Sequence, residues 1–200
     1  MIISFPFTGS LIPLVFISWV PLLLIESNIS QKKYRSSKVF IHAYLVFFIF
    51  NIGTTWWIWN ASLGGAIMAF TLNALLMSIT FLIFHLTKKK LGSKIGYFSL
   101  IVYWIAFEYF HYQWELSYPW LSLGNNFSIV PSFVQWYSYT GVLGGTLWVL
   151  LINVLVFKLV DGKIVKKATK KTQRTLLIQL ITILFIPIVI SHIQYYSFRE

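Results

Sequence analysis

The sequence contains no cysteine among its 200 residues. Disulfides, thiolate metal sites and a cysteine nucleophile are therefore excluded within it. Negative charge is also scarce, because five acidic residues face sixteen basic ones and only 10% of all residues are charged. A soluble domain carries about 25% charged residues. With 58% hydrophobic residues, the chain has too little polar surface to cover its apolar mass, and we expect it in a bilayer.

The basic residues give a net charge of +11, but their distribution does not indicate a nucleic-acid partner. Nucleic-acid-binding domains cluster Lys and Arg on one folded face. Here fifteen of the sixteen fall in three groups at gaps between apolar runs, within residues 32–38, 88–94 and 158–174. Because basic loops stay on the cytoplasmic side of a membrane, these three gaps are predicted to be cytoplasmic.

Six apolar runs are long enough to span a bilayer, which takes about 20 residues per helix. None shows the alternating pattern of a β-barrel strand. The sequence therefore predicts an all-α, polytopic transmembrane helical bundle that forms a single domain over residues 1–200. The predicted spans are about 8–26, 39–59, 63–87, 95–113, 136–158 and 174–194. With the basic gaps after the first, third and fifth spans, both termini are expected on the periplasmic side of a bacterial inner membrane.

The stretch "FEYFHYQWELSYPWLSLGN", residues 107–125, places acidic residues where the chain is otherwise apolar. On a helix, Trp104, Glu108, His111 and Glu115 share one face. A carboxylate within a span costs about 2.5–3.5 kcal/mol at mid-helix, so it normally faces protein or water. We expect Glu108, His111 and Glu115 to be structural polar residues, with Glu108 accepting hydrogen bonds that fix helix packing; direct chemistry is the alternative.

The same stretch contains two candidate metal ligands. Glu108 and His111 have the spacing of a di-iron ligand pair. Such a site needs a second pair and two more carboxylates, which the rest of the chain does not supply. No metal site and no cofactor are therefore predicted.

The outer loop of 22 residues after the fourth span is strongly apolar and aromatic. Proline keeps the preceding residue extended and ends any helix there, and a glycine supplies a tight turn with accessible backbone amides. A loop of this length and apolarity is rarely a plain solvated connection, although that remains the alternative. We predict a lipid-headgroup cleft, with Pro119, Trp120, Gly124 and Asn125 as its candidate residues.

Small and amide residues within the spans predict close helix contacts. Gly141, Gly144 and Gly145 stand at helical spacing near the start of the fifth span, where small side chains allow helices to approach. Asn73 and Asn153 lie inside apolar runs. Amides in such positions usually form interhelical hydrogen bonds.

Two stretches, the one quoted above and "VQWYSYTGVLGGTLWVLLINVLVF", resemble the membrane part of bacterial apolipoprotein N-acyltransferase. The run "TTWWIWNASLGGAIMAFTLNALLMSITFLIFHLTKKKLG" is similar to versions from the Bacteroidetes group. The resemblance implies an enzyme that moves an acyl chain from a phospholipid to the N-terminal amine of a diacylated lipoprotein. It implies a cysteine thioester intermediate, formed by a Glu-Lys-Cys triad on a periplasmic nitrilase-like domain.

The sequence departs from that pattern because it has no cysteine and no stretch resembling the nitrilase-like domain. No catalytic residue is assigned. The resemblance implies that the family's first helix and catalytic domain lie outside these 200 residues, so the chain is expected to be a membrane fragment that is inactive alone. It further implies a lipid-entry role for Trp120 and a packing role for Glu108. The expected partners are membrane phospholipid and either a diacylated lipoprotein or a separately encoded nitrilase-like domain, and no nucleic acid.

Two other functions stay open. One is a non-catalytic lipid- or polyprenol-binding membrane module that accompanies a separate enzyme. The other is a small transporter, which ranks lower because transporters usually have two related halves and polar groups at mid-membrane. The sequence shows no internal repeat, and Glu108 is its one clearly intramembrane carboxylate.

Overall fold

The computed structural model describes residues 6–114, 119–164 and 169–197. Helices fill most of these ranges and no strand occurs in them, which confirms the all-α fold. The six α-helices are α1 (Val20–Gln31), α2 (Ser36–Thr55), α3 (Leu63–Leu91), α4 (Ser93–Gln113), α5 (Tyr137–Ile164) and α6 (Lys170–Ser197). These ranges also contain five 3-10 segments: Pro6–Phe16 before α1, Trp56–Asn60 between α2 and α3, and Pro119–Leu121, Leu123–Phe127 and Pro131–Phe133 between α4 and α5.

Five helical segments of the described chain are long and apolar enough to cross a membrane, which agrees with a polytopic bundle. They are Leu11–Gln31, Ser36–Asn60, Leu63–Leu91, Tyr137–Gly162 and Lys170–Ser197. The predicted fourth span, 95–113, is helical as α4 but does not reach the same apolarity, because it contains Glu108, His111 and several tyrosines. The threading of six spans stays a prediction.

The chain divides into two compact units, of which one is Pro21–Phe107. In this unit α2 and α3 form a helical hairpin, and Ser62 caps α3 by accepting a hydrogen bond from the Gly65 amide at 3.1 Å. Its core is aromatic, with Phe47 against both Phe81 and Trp104. A single residue, Gly92, separates α3 from α4; its φ of +85° is a conformation that favours glycine.

An amide pair also joins the two helices of the hairpin. Asn73 Nδ2 on α3 donates to Asn51 Oδ1 on α2 at 2.7 Å, and both residues are buried. This confirms the interhelical hydrogen bond predicted for Asn73. Bonds of this kind contribute on average about 0.6 kcal/mol within a membrane bundle.

The other unit comprises Ile3–Val20 and Glu108–Glu200. Its α5 and α6 are antiparallel neighbours, since Trp148 contacts Ile183 and Gln135 contacts Ser191. Asn153 on α5 also bonds outside its own helix, as predicted. Its Oδ1 accepts from the Trp19 amide at 2.9 Å, and its Nδ2 donates to the Val15 carbonyl at 2.8 Å.

The glycines of α5 do not act alike. Gly141 has φ +65° and ψ −175°, so it breaks the helix, and a Cβ there would meet nothing within 4 Å. The packing role predicted for Gly141 is therefore wrong. Gly141 instead supplies a backbone conformation that other residues rarely adopt. Gly144 and Gly145 do permit close contacts: a Cβ on Gly145 would lie 1.7 Å from the Tyr137 hydroxyl.

Candidate functional site

The carboxylate of Glu108 lies at the centre of a buried polar network, and the residue is only 4% exposed. Its Oε1 accepts a hydrogen bond from the Leu123 amide at 2.9 Å, and its Oε2 accepts one from the Thr146 hydroxyl at 2.5 Å. A buried carboxylate without such donors would cost several kcal/mol. Glu108 therefore ties the outer loop and α5 to the end of α4.

Thr146 carries the network on to the loop backbone. The Gly124 amide donates to Thr146 Oγ1 at 3.1 Å, and the Gly124 carbonyl accepts from the Tyr137 hydroxyl at 2.9 Å. Both polar backbone groups of Gly124 are thus paired with side chains of α5, as burial requires. The prediction that the Gly124 amide is accessible is therefore wrong, because this amide donates to Thr146 inside the protein.

The loop lies unusually close to α5 at this point. A Cβ on Gly124 would come within 2.0 Å of the Val142 carbonyl oxygen, and one on Gly145 would come within 2.9 Å of the Gly124 Cα. Real Cβ atoms essentially never approach so closely. Two glycines, one on each side, therefore permit the contact that the hydrogen bonds hold.

The other loop candidates lie next to this junction. The Pro119 carbonyl accepts from Asn125 Nδ2 at 2.7 Å and from the Ser122 amide at 3.2 Å. The Ser122 hydroxyl lies 3.0 Å from that of Tyr112 on α4. Trp120 is 39% exposed. Asn125 and Pro119 thus shape the loop internally, whereas Trp120 presents a ring surface to the surroundings.

The remaining polar candidates are partly accounted for. Trp104, Glu108 and His111 are all buried, as expected for one face of α4. His111 Nδ1 accepts from Trp114 Nε1 at 3.2 Å. Glu115 lies outside the described residues, and within those residues no group of three or more His, Cys, Asp and Glu could hold a metal ion. The roles predicted for these side chains stay predictions.

A groove of about 440 Å³ runs along the contact between α5 and α6. Its α5 side includes Gly144, Leu147, Trp148 and Leu151, and its α6 side includes Ile183 and Pro187. The lining is apolar except for a threonine from α6. The sequence alone gave no indication of this groove, because it arises from the packing of two helices.

A proline in α6 explains one of the hydrogen bonds between the two helices that line the groove. Pro187 has no amide hydrogen, so the carbonyl of Ile183, four residues earlier, loses its helical partner. Trp148 Nε1 donates to that carbonyl at 2.7 Å. A second hydrogen bond to α6 lies near its end, where the Gln135 amide donates to the Ser191 hydroxyl at 2.5 Å. Proline inside a predicted span indicates only that a neighbouring group must pair the carbonyl that it frees, and does not indicate a groove.

A second buried carboxylate, which the sequence patterns did not single out, belongs to the Pro21–Phe107 unit. Glu26 on α1 is 0% exposed. Its Oε1 lies 2.7 Å from His85 Nδ1 and accepts a hydrogen bond from Ser30 Oγ at 2.8 Å. Its Oε2 accepts a hydrogen bond from Lys88 Nζ. Asp161 on α5 is buried as well. Glu108 is therefore not the one buried carboxylate within the apolar helices. The available signal was that Glu26 is the single acidic residue between 21 and 107.

Comparison with known proteins places the sequence in a family. Residues 1–155 match the family profile of the apolipoprotein N-acyltransferase N-terminal domain. The apolipoprotein N-acyltransferase of Chlorobaculum tepidum is 30% identical over 159 residues, which cover 78% of this chain and 29% of that protein. The chain thus spans less than a third of the length of this curated relative. No solved structure matches it.

The resemblance seen in the sequence is confirmed by these matches. Together with the five apolar helices, they identify a multi-pass bacterial membrane protein. Since the family profile covers well over half of the 200 residues, the chain belongs to the family of the apolipoprotein N-acyltransferase N-terminal domain.

Proposed function

We propose that this chain is the membrane module of a phospholipid:apolipoprotein N-acyltransferase that acts in lipoprotein maturation. Its part is to hold the acyl donor. The family match supports the reaction class. Because the 200 residues contain no cysteine, a thioester intermediate needs a nucleophile from another polypeptide segment. The chain alone is therefore inactive in acyl transfer.

The observation that carries this proposal is the groove between α5 and α6. Its volume of about 440 Å³ falls within the range of about 300–1,000 Å³ of small-molecule sites. The groove lies between two long apolar helices, so a slender acyl chain can lie along its length. From Gly144 to Leu151 the axis of α5 rises about 10 Å.

The outer loop supplies the polar end of this site in our proposal. Trp136 lines the groove immediately before α5 begins, and its Nε1 donates to the Phe133 carbonyl in the loop at 3.2 Å. An indole ring suits the boundary between headgroups and acyl chains. Trp120, exposed on the same loop, contacts the lipid headgroup region, while the Glu108 network keeps the loop fixed on α5.

The orientation follows from the basic gaps. Their Lys and Arg residues lie in the cytoplasm by the positive-inside rule, which puts the loop and both termini on the periplasmic side. This is the side on which the resemblance implies acyl transfer to lipoproteins. A cysteine-labelling scan of single cysteines introduced at Ser128 and at Ser93 tests it, since only the first should react with an impermeant thiol reagent in intact cells.

A photoreactive phospholipid with a diazirine in its acyl chain tests the groove. Cross-links should concentrate on α5 and α6 peptides. Ile186→Trp fills the groove and should lower that yield, whereas Ile181→Trp, on the same helix and also about half exposed, lies outside the lining and should not. Equal yields from both variants would contradict the proposed acyl-chain site.

Acyl transfer itself is tested with a diacylated lipopeptide in phospholipid vesicles, with and without an added nitrilase-like domain. We expect activity upon addition of that domain and none from this chain alone. Activity from the chain alone would refute the argument from the absent cysteine. Lipid cross-linking with no activity under either condition would instead favour a non-catalytic lipid- or polyprenol-binding module.

A further inference from the structure

Four helix ends meet at one end of the Pro21–Phe107 unit. Glu26 on α1 contacts His85 and Lys88 on α3. His85 Nε2 lies 3.2 Å from the hydroxyl of Ser36, the first residue of α2. Lys88 Nζ also stands 4.9 Å from the ring centre of Tyr97 on α4. These contacts bring together the connection between α1 and α2 and the connection between α3 and α4.

The surface around this cluster is strongly cationic. Seven basic side chains are exposed on the two connections and the adjoining helix ends: Lys32, Lys33, Arg35, Lys38, Lys89, Lys90 and Lys94. The one acidic residue in 21–107 is Glu26, which is fully buried and already paired with His85 and Lys88. No carboxylate of this unit therefore compensates the seven exposed charges.

We propose that these seven residues, the cationic end of the unit, form an interaction surface for anionic phospholipid headgroups. They lie where α2 and α3, both apolar enough to cross a membrane, reach their ends. Basic groups at that level are attracted to anionic lipids. The Tyr34 ring, with Lys38 Nζ 4.1 Å from its centre, adds the amphipathic aromatic group that is typical of the headgroup layer.

The internal ion pairs explain why this surface differs from an ordinary loop with lysines. Glu26 removes Lys88 from the surface and fastens α1 to α3, so the exposed cations of two connections are held side by side. The basic residues at the start of α6, Lys170, Lys171 and Arg174, are exposed too, but they stand on one helix. The cationic end therefore offers anionic lipids seven exposed charges from two connections, whereas the start of α6 offers three from a single helix.

The test uses the full chain in vesicles that contain equal amounts of phosphatidylglycerol and phosphatidylcholine, followed by native mass spectrometry of the retained lipids. Lys89→Gln, Lys90→Gln and Lys94→Gln are combined in one variant. The matched control combines Lys170→Gln, Lys171→Gln and Arg174→Gln, which removes the same charge. Each cation near an anionic surface contributes about fivefold, so the first variant should lose at least about tenfold of its preference for phosphatidylglycerol.

The outcomes separate the possibilities. A selective loss in the first variant, repeated when Lys32, Lys33 and Arg35 are replaced by Gln, supports the surface. An equal loss in the control would show that net charge alone matters and would overturn the proposal, as would a wild-type chain with no preference. Displacement of phosphatidylglycerol by inorganic phosphate would point to a small-anion site and would also overturn it. None of these results depends on acyl transfer.

Discussion

Removal of the Thr146 hydroxyl is the sharpest test of the Glu108 network. Thr146→Val keeps the shape of the side chain but deletes the donor to Glu108 Oε2 and the acceptor for the Gly124 amide. Both partners are buried, so neither gains water in exchange. The variant should therefore loosen the loop from α5.

The expected magnitude follows from the two groups left without a partner. A buried polar group that loses its hydrogen bond costs about 1–3 kcal/mol, and more when it is charged. Two such groups predict a loss of about 3 kcal/mol or more in the free energy of unfolding. For a chain of about 200 residues, 1 kcal/mol corresponds to roughly 2–4 °C in Tm. Thr146→Val should thus lower Tm by about 6–12 °C.

The assay is thermal unfolding in detergent, followed by circular dichroism, with Thr80→Val as the matched control. The Thr80 hydroxyl donates to the Leu76 carbonyl of its own helix at 3.0 Å, which already has a helical partner. Its loss should change Tm by no more than about 1–2 °C, the size expected for under 0.5 kcal/mol. If the two variants melt alike, the network does not stabilise the loop and the argument is wrong.

Three further substitutions test other contacts, each by the same melting assay. Trp148→Phe should lower the free energy of unfolding by about 1 kcal/mol, because the Ile183 carbonyl loses its hydrogen-bond donor. This loss should be smaller in a Pro187→Ala background, where the amide of residue 187 can donate to that carbonyl. Gly145→Ala should destabilise strongly because its Cβ would overlap the loop junction, whereas Gly64→Ala has open space and should be neutral. Glu26→Gln should cost about 3–5 kcal/mol, since it breaks a buried ion pair; an unchanged Tm would contradict the buried pairing.

The all-α fold could be predicted from the sequence because the bilayer constrains the chain most within the predicted spans. The third predicted span began at 63, as α3 does, because a membrane helix must be apolar over its whole length. It ended at 87, however, and the helix continues to Leu91. The composition of Lys88–Lys90 is typical of a loop, but Lys88 donates a hydrogen bond to the carboxylate of Glu26, which lies 62 residues earlier in the chain. Pairings at that distance along the chain leave no periodic signal.

The outer loop shows the same limit in another form. The sequence predicts a helix end at Pro119 and a tight turn at Gly124, and it predicts that the loop does more than connect two spans. The partners of Glu108 could not be predicted, because one is the Leu123 amide. A backbone amide carries no sequence signature, and its direction depends on how the 3-10 turns fold.

Three buried side chains within eight residues of α5 form hydrogen bonds to irregular backbone elsewhere in its unit. Thr146 pairs with the loop amide of Gly124, Trp148 pairs with the carbonyl freed by Pro187, and Asn153 pairs with Val15 and Trp19, where the first span changes from 3-10 to α-helix. Each of them satisfies backbone groups that regular helices would have paired themselves. Irregular backbone at membrane depth persists only where protein or a cavity compensates for it.

That pattern connects the fold to the proposed function. A bundle of regular helices would need none of these hydrogen bonds. The side chains of α5 therefore stabilise irregular backbone that helix packing alone does not require. This irregular backbone lies at the loop and beside the groove, the two places where we propose that the lipid headgroup and acyl chain bind. Substitution of Thr146 or Trp148 should therefore weaken lipid cross-linking as well as stability, whereas Asn153, on the side of the first span, should affect stability alone.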